Sequence, residues 1–433
     1  MSTETHQPPP ESAEQGDELA AEAAGTAAPE VLAGSLGEYT RIQLRRIRNG
    51  ESGALPVTLG LIAIVIYFQA RNSLFLSPGN LVNLLIQGAP YIVLGMAEVF
   101  VLLLGEIDLS VGYSGAVAAV IMAWAVFTVP WWVAILLGLA TGAFFGLIFG
   151  VLITRLRLPS FVVTLSGLLG LQGLMIVLVA RSGHGPGGSI PISNSIIDDL
   201  TTGNLSVAAG WIVMVAIVAA AAAVLLLRDR QRRAAGLVTP PISVTLLKIV
   251  VMAIAGIVVV LVGNADRGTA LVPLRGVPWV VLIVLGVLAI WTVLLGRTRF
   301  GRYIYAIGGN AEAARRAGVS LNLIRTMAFV LCGVTAAIAG ILLASRLGSI
   351  STDVDGGQLV LFAVAAAVIG GTHLFGGHGK MMNALLGGLV VAAIYNGLGL
   401  LGLSAAVTYI VTALVLLAAV TVDALSRRGA SQT

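Results

Sequence analysis

The sequence predicts an all-α polytopic membrane protein of about twelve spans with both termini cytoplasmic. Its composition is 58% hydrophobic and only 10% charged, where soluble domains carry about 25% charged residues. Its bases also alternate with the apolar runs: counting from a cytoplasmic N-terminus, 20 of the 25 Lys and Arg fall on cytoplasmic loops or span ends, as the positive-inside bias requires. The 53 glycines fit the same class, because small residues let helices approach closely in lipid.

Residues 1 to about 40 are rich in Pro, Glu, Ala, Ser and Thr and lack an apolar run, so a disordered tail is expected. No cleavable signal peptide is read, since the first apolar stretch starts near Leu55 behind an acidic N-terminus. Arg41, Arg45, Arg46 and Arg48 then fix that terminus inside, giving a tail of 1–50, a membrane domain of 51–425 and a cytoplasmic tail of 426–433. Eight of the 20 acids lie in residues 1–38, which hold no base; 12 acids then face 25 bases, a balance of +13. That charge follows topology, and no basic patch interleaved with aromatics points to nucleic acid.

The expected spans are 55–70, 81–104, 113–128, 131–154, 161–180, 211–227, 244–263, 277–295, 322–345, 358–372, 384–402 and 405–423. Shorter runs are accepted where helices are broken, and a re-entrant element within 81–128 would change the local crossing pattern. Gly138, Gly142, Gly146 and Gly150 share one helix face and are read as packing. The single cysteine, Cys332, excludes an intrachain disulfide. The polar stretch 181–210 is either a landing surface for a partner or a plain connector, and His184 there has no second ligand at metal-site spacing.

The most basic connection, 296–321, is flanked by further arginines: Leu295 to Arg325 holds six against one acid, Glu312. In it Gly308 and Gly309 are expected to break the chain, Asn310 to cap a short helix over Ala311–Ala317, and Gly318 to end that helix. The segment fits a small cytoplasmic helix and equally a solvated loop.

Inside the membrane, Gly105–Gly112 reads GEIDLSVG, placing Glu106, Asp108 and Ser110 between glycines. Carboxylates at membrane depth face protein or a water-filled path, so a cation or proton site and a scaffold for freed backbone N–H groups are both open readings. On a helix the i, i+2 spacing would turn the two acids to different sides. Glu98 is a third such acid. The stretch VIGGTHLFGGHGKM, with His373, His378 and Lys380, misses a phosphate loop because Leu374 replaces its first glycine and Met381 its Ser or Thr. Two histidines alone are poor grounds for a metal site. Asp353 and Asp355 read as turn residues or as partner contacts. No nucleophile and base constellation emerges, so no catalytic residues, metal or cofactor are assigned to this chain.

GEIDLSVG, TRFGRYIYAIGGNAEAARRAGV, LCGVTAAIAGILLASRLGS and AAVIGGTHLFGGHGK with the closing NGLGLLG together resemble the permease subunits of bacterial ABC importers for monosaccharides, the ribose, galactose and xylose class. The resemblance covers most of 55–425 and looks closest to the xylose type. It implies a core of about ten spans, with 211–263 as an inserted pair, in a bacterial plasma membrane. It also implies a homodimer, an extracytoplasmic sugar-binding protein, and an ATPase subunit that binds ATP and Mg. Gly308, Gly309, Asn310, Glu312, Ala314, Arg315 and Gly318 would couple to that ATPase. Gly105, Glu106, Asp108, Ser110 and Gly112 would shape the translocation path. His373 and His378 stand where Ser and Arg are more usual in the family. The rival expectation is an ion-coupled carrier using Glu98, Glu106 and Asp108.

Overall fold

The computed structural model describes residues 55–183, 188–237, 239–268 and 273–404, together with Arg41 and scattered positions from 406 to 421. Both terminal tails of the sequence reading, apart from Arg41, and His184 lie outside the described residues.

The chain is helical nearly throughout. It begins with α1 (Leu55–Arg71), α2 (Pro78–Leu102), α3 (Val111–Ala125), α4 (Trp131–Arg155) and α5 (Ser160–Arg181). A strand β1 (Ser189–Pro191), a short α6 (Ser195–Thr202), α7 (Val207–Ala234), α8 (Ile242–Asn264) and α9 (Trp279–Arg297) follow. Then come α10 (Arg299–Gly309), α11 (Ala311–Arg316), α12 (Leu321–Leu347), β2 (Ser349–Ser351), α13 (Gly356–Ile369) and α14 (Met381–Leu400). Among the described residues eight helices are long and apolar enough to cross a membrane and three shorter apolar ones, α1, α3 and α13, accompany them. The run at 405–423 is only partly described, and its described residues are helical.

Two compact units result. Trp211–Val259, from α7 and α8, belongs to one, where Thr245 donates to Asp229 at 2.6 Å. Gly53–Gly210 with Val260–Thr433 forms the other. In this main unit α2 is the central rod, buried without interruption from Gln87 to Leu102. Its start is set by Pro78 at the first helical position and by Ser77, whose hydroxyl accepts the Asn80 amide at 3.3 Å. Helices α12, α13, α14 and α9 pack around it, and α3 and α4 close on α12.

Glycines set the closest of these approaches. A Cβ on Gly142 would strike the Gly333 carbonyl, and one on Gly146 the Phe329 carbonyl. The Gly138–Gly150 face is therefore the packing seam between α4 and α12, and Thr326 adds a hydroxyl bond to the Gly150 carbonyl at 3.3 Å. Residues 188–210 are packed onto the bundle: β1 pairs antiparallel with β2, bringing Ile190 opposite Ile350, and Thr201 meets Ser345 at 2.7 Å. Asp355 caps α13 by accepting the Gln358 amide at 3.0 Å.

Candidate functional site

The rod α2 carries one functional candidate at each end. At its C-terminal end the helix stops at Leu102, and Gly105, with φ of +74°, turns the chain back into the bundle. Residues 106–108 are non-helical, and α3 starts among buried residues of the core. Off the helix the i, i+2 divergence does not apply, and Glu106 and Asp108 both face α12. Glu106 lies 3.7 Å from Arg325, and Asp108 accepts the Cys332 thiol at 3.6 Å. Arg325 and Cys332 are seven residues apart, two turns on one stripe.

Asp108 is 2% exposed and well held: its Oδ1 accepts the Ser110 amide at 2.9 Å and the Ser110 hydroxyl at 2.5 Å. Glu98 is fully buried, and neither of its carboxylate oxygens has a hydrogen-bond partner among the described residues. Gly112 lets the first turn of α3 rest on α13, because a Cβ there would meet the Gly356 carbonyl.

The second predicted motif meets the first here. The Leu103 carbonyl accepts the Gly377 amide at 2.9 Å, and a Cβ on Gly308 would collide with that same carbonyl. Gly376 packs against Gly105, Gly308 and Leu103, and Tyr305 donates to the Gly379 carbonyl at 2.8 Å. Burial pushes the Tyr305 phenol above its ordinary value, keeping the donor protonated. Gly308 and Gly309 do not break the chain as expected. They end α10, a helix the sequence reading missed, and Gly308 serves close backbone approach instead. The α10 face is set by Gly301, Ile304 and Ile307, all buried, with Thr298 capping its start by accepting the Gly301 amide at 3.2 Å.

The break comes at Asn310, which caps α11 by accepting the Ala313 amide at 2.9 Å. Gly318, at φ +83°, closes that helix as its amide and that of Val319 return to Arg315 and Ala314. Ala314 is buried, whereas Glu312 pairs with both Arg315 and Arg316 on the exposed side. Gly309 and Gly318 have open space around them. Of the two predicted groups, then, only Gly308 and Gly105 converge; α11 faces outward. His373 and His378 lie in the same glycine loop with ring centres 5.0 Å apart.

At the other end of α2 the structure holds a cavity of about 380 Å³ that the sequence reading missed. Asn80, Asn83 and Gln87 line it from α2, with Gln358 from α13 and Tyr395 and Asn396 from α14. Asn80 and Asn396 exchange amide hydrogen bonds at 2.9 and 3.0 Å, and Asn396 also donates to Gln87 at 3.3 Å. A signal was present: 80, 83 and 87 sit at i, i+3 and i+7, one helix face.

A multi-helix membrane bundle with a broken helix in its core and a basic helical pair capping one end has the anatomy of a transport protein. The family model described as "Branched-chain amino acid transport system / permease component" matches residues 80–231 and 239–420. The chain belongs to this permease family. It is 33% identical over 373 residues to the xylose transport system permease protein XylH of Escherichia coli K12, covering 85% of this chain and 91% of that one. XylH of Haemophilus influenzae is 34% identical over 387 residues, 87% and 98% of the two chains. The ribose import permease protein RbsC of Escherichia coli K12 is 32% identical over 377 residues, 86% and 93%. No solved structure matches the chain. Like other permeases it is a multi-pass membrane protein, and family membership lends nothing to the ion-coupled alternative built on Glu98, Glu106 and Asp108.

Proposed function

We propose that this chain is the membrane-spanning subunit of an ATP-driven ABC importer for a monosaccharide, and that the sugar is a pentose, D-xylose first. The relatives named for xylose and ribose support the substrate class. The observation that carries the mechanism is the glycine junction, where Gly308 lies directly on the Leu103 carbonyl ahead of GEIDLSVG. Exposed α11 is one Asn310 cap away from that junction, so a push on α11 reaches the core through backbone packing, with no flexible side chain between. In this reading an ATPase subunit, which binds ATP and Mg, docks on α10 and α11 from the cytoplasm. Its closure moves Gly308, Gly309 and Asn310 against Leu103–Gly105, and the broken segment Glu106–Ser110 re-exposes the path. A second permease copy and an extracytoplasmic binding protein complete the importer.

The test is purification of the chain in detergent from its native membrane, with Gly309→Val and Arg315→Glu variants. Both positions face open space or an exposed ion pair, where substitutions cost little stability. A copurifying ATPase subunit that is lost or uncoupled in these variants is the expected result. A lone chain that accumulates D-xylose in liposomes without ATP would overturn the reading.

A further inference from the structure

We infer that the amide-lined cavity at the Asn80 end of α2 is a transit site for one neutral polyol, and that it excludes zwitterionic amino acids. The inference rests on the sugar-importer reading above. None of the residues lining the cavity is charged. A free amino acid held there would set an ammonium and a carboxylate against a wall of neutral amides that offers neither of them a counter-charge. A sugar brings hydroxyls, each both donor and acceptor, and a carboxamide is likewise both.

The amides divide into two sets. Asn80 and Asn396 are held by their mutual bonds, by the Phe75 carbonyl at 2.9 Å and by Gln87 at 3.3 Å. Among the described residues no side-chain hydrogen bond engages Asn83 or Gln358, which leaves both able to meet a ligand. Tyr395 supplies a flat wall for the C–H face of a sugar ring. Its own ring is held in a cluster with Tyr91 at 6.0 Å and Phe362 at 5.9 Å. A volume of about 380 Å³ sits near the lower end of ligand pockets, which suits a monosaccharide and not a longer saccharide.

The test uses the complete importer in proteoliposomes, with its ATPase subunit and binding protein, and D-xylose, D-ribose and L-leucine as probes. Combined Asn83→Leu and Gln358→Leu should lower the initial sugar uptake rate about tenfold, from two lost hydrogen bonds, in protein that still co-elutes with the ATPase subunit. Independently of folding in that variant, Asn83→Cys should react with a thiol reagent, and D-xylose should slow the reaction. Cys332, fully buried, keeps the background low. Sugar uptake within twofold of wild type in the double variant, labelling indifferent to sugar, or wild-type uptake of L-leucine overturns the cavity inference alone. Wild-type importer that moves neither pentose overturns the importer reading beneath it.

Discussion

The two ends of α2 are joined by one rod of 25 residues, buried from Gln87 to Leu102 and about 37 Å long at 1.5 Å per residue, yet they are built from opposite materials. At the glycine junction the contacts are backbone on backbone: Leu103, Gly105, Gly308, Gly376 and Gly377 meet with no side chain between. At the cavity the contacts are side chain on side chain, from Asn80 to Asn396 across 316 residues of sequence. Backbone packing transmits displacement and cannot yield to an added atom. Amide side chains can rotate and exchange partners, as the proposed transit site requires.

The largest expected effect is at the junction. Gly308→Val drives a side chain into the Leu103 carbonyl and should cost about 3 kcal/mol or more, read as loss of monodisperse protein and a lower denaturation midpoint in mixed micelles. Gly309→Val, one residue on and in open space, should leave that midpoint unchanged. Asn396→Leu at the cavity should cost less, about 1 kcal/mol. A larger loss there than at Gly308 would reverse the contrast between the two ends. The smallest effect concerns Tyr305. Its phenol is raised by burial above 10.0, so its bond to Gly379 is intact below pH 10 and weakens as pH rises through the raised value. Hydrogen exchange around Gly379 should quicken in that alkaline range, and Tyr305→Phe should be faster at neutral pH and lack the step.

Legibility in the sequence follows the same division. Apolar runs up to residue 402 and the Asn310 and Gly318 signals needed only neighbours along the chain, and the structure has helices and caps there. The role of Gly308 needed a partner about 205 residues away, so a break was the natural local inference and close approach the actual one. The common side on which Glu106 and Asp108 lie is set by Arg325 and Cys332, more than 200 residues away along the chain. Helix α10 was obscured because Arg299, Arg302 and Tyr303 cover its exposed face, leaving only Gly301, Ile304 and Ile307 to mark the buried one. The Asn80, Asn83 and Gln87 face was readable from spacing alone; what spacing could not supply was Asn396 opposite it.

The stretch from Trp211 to Val259 leaves and rejoins the main unit through a stapled doorway. Leu205 donates to Val277 at 2.9 Å, Trp279 to Gly203 at 3.0 Å, Gly276 to Gly263 at 2.8 Å, and Arg267 reaches Asn204 at 3.1 Å. Both posts of the doorway are fastened on the main unit's own side. The place where the chain leaves the main unit is thus held by bonds in which no residue of Trp211–Val259 takes part.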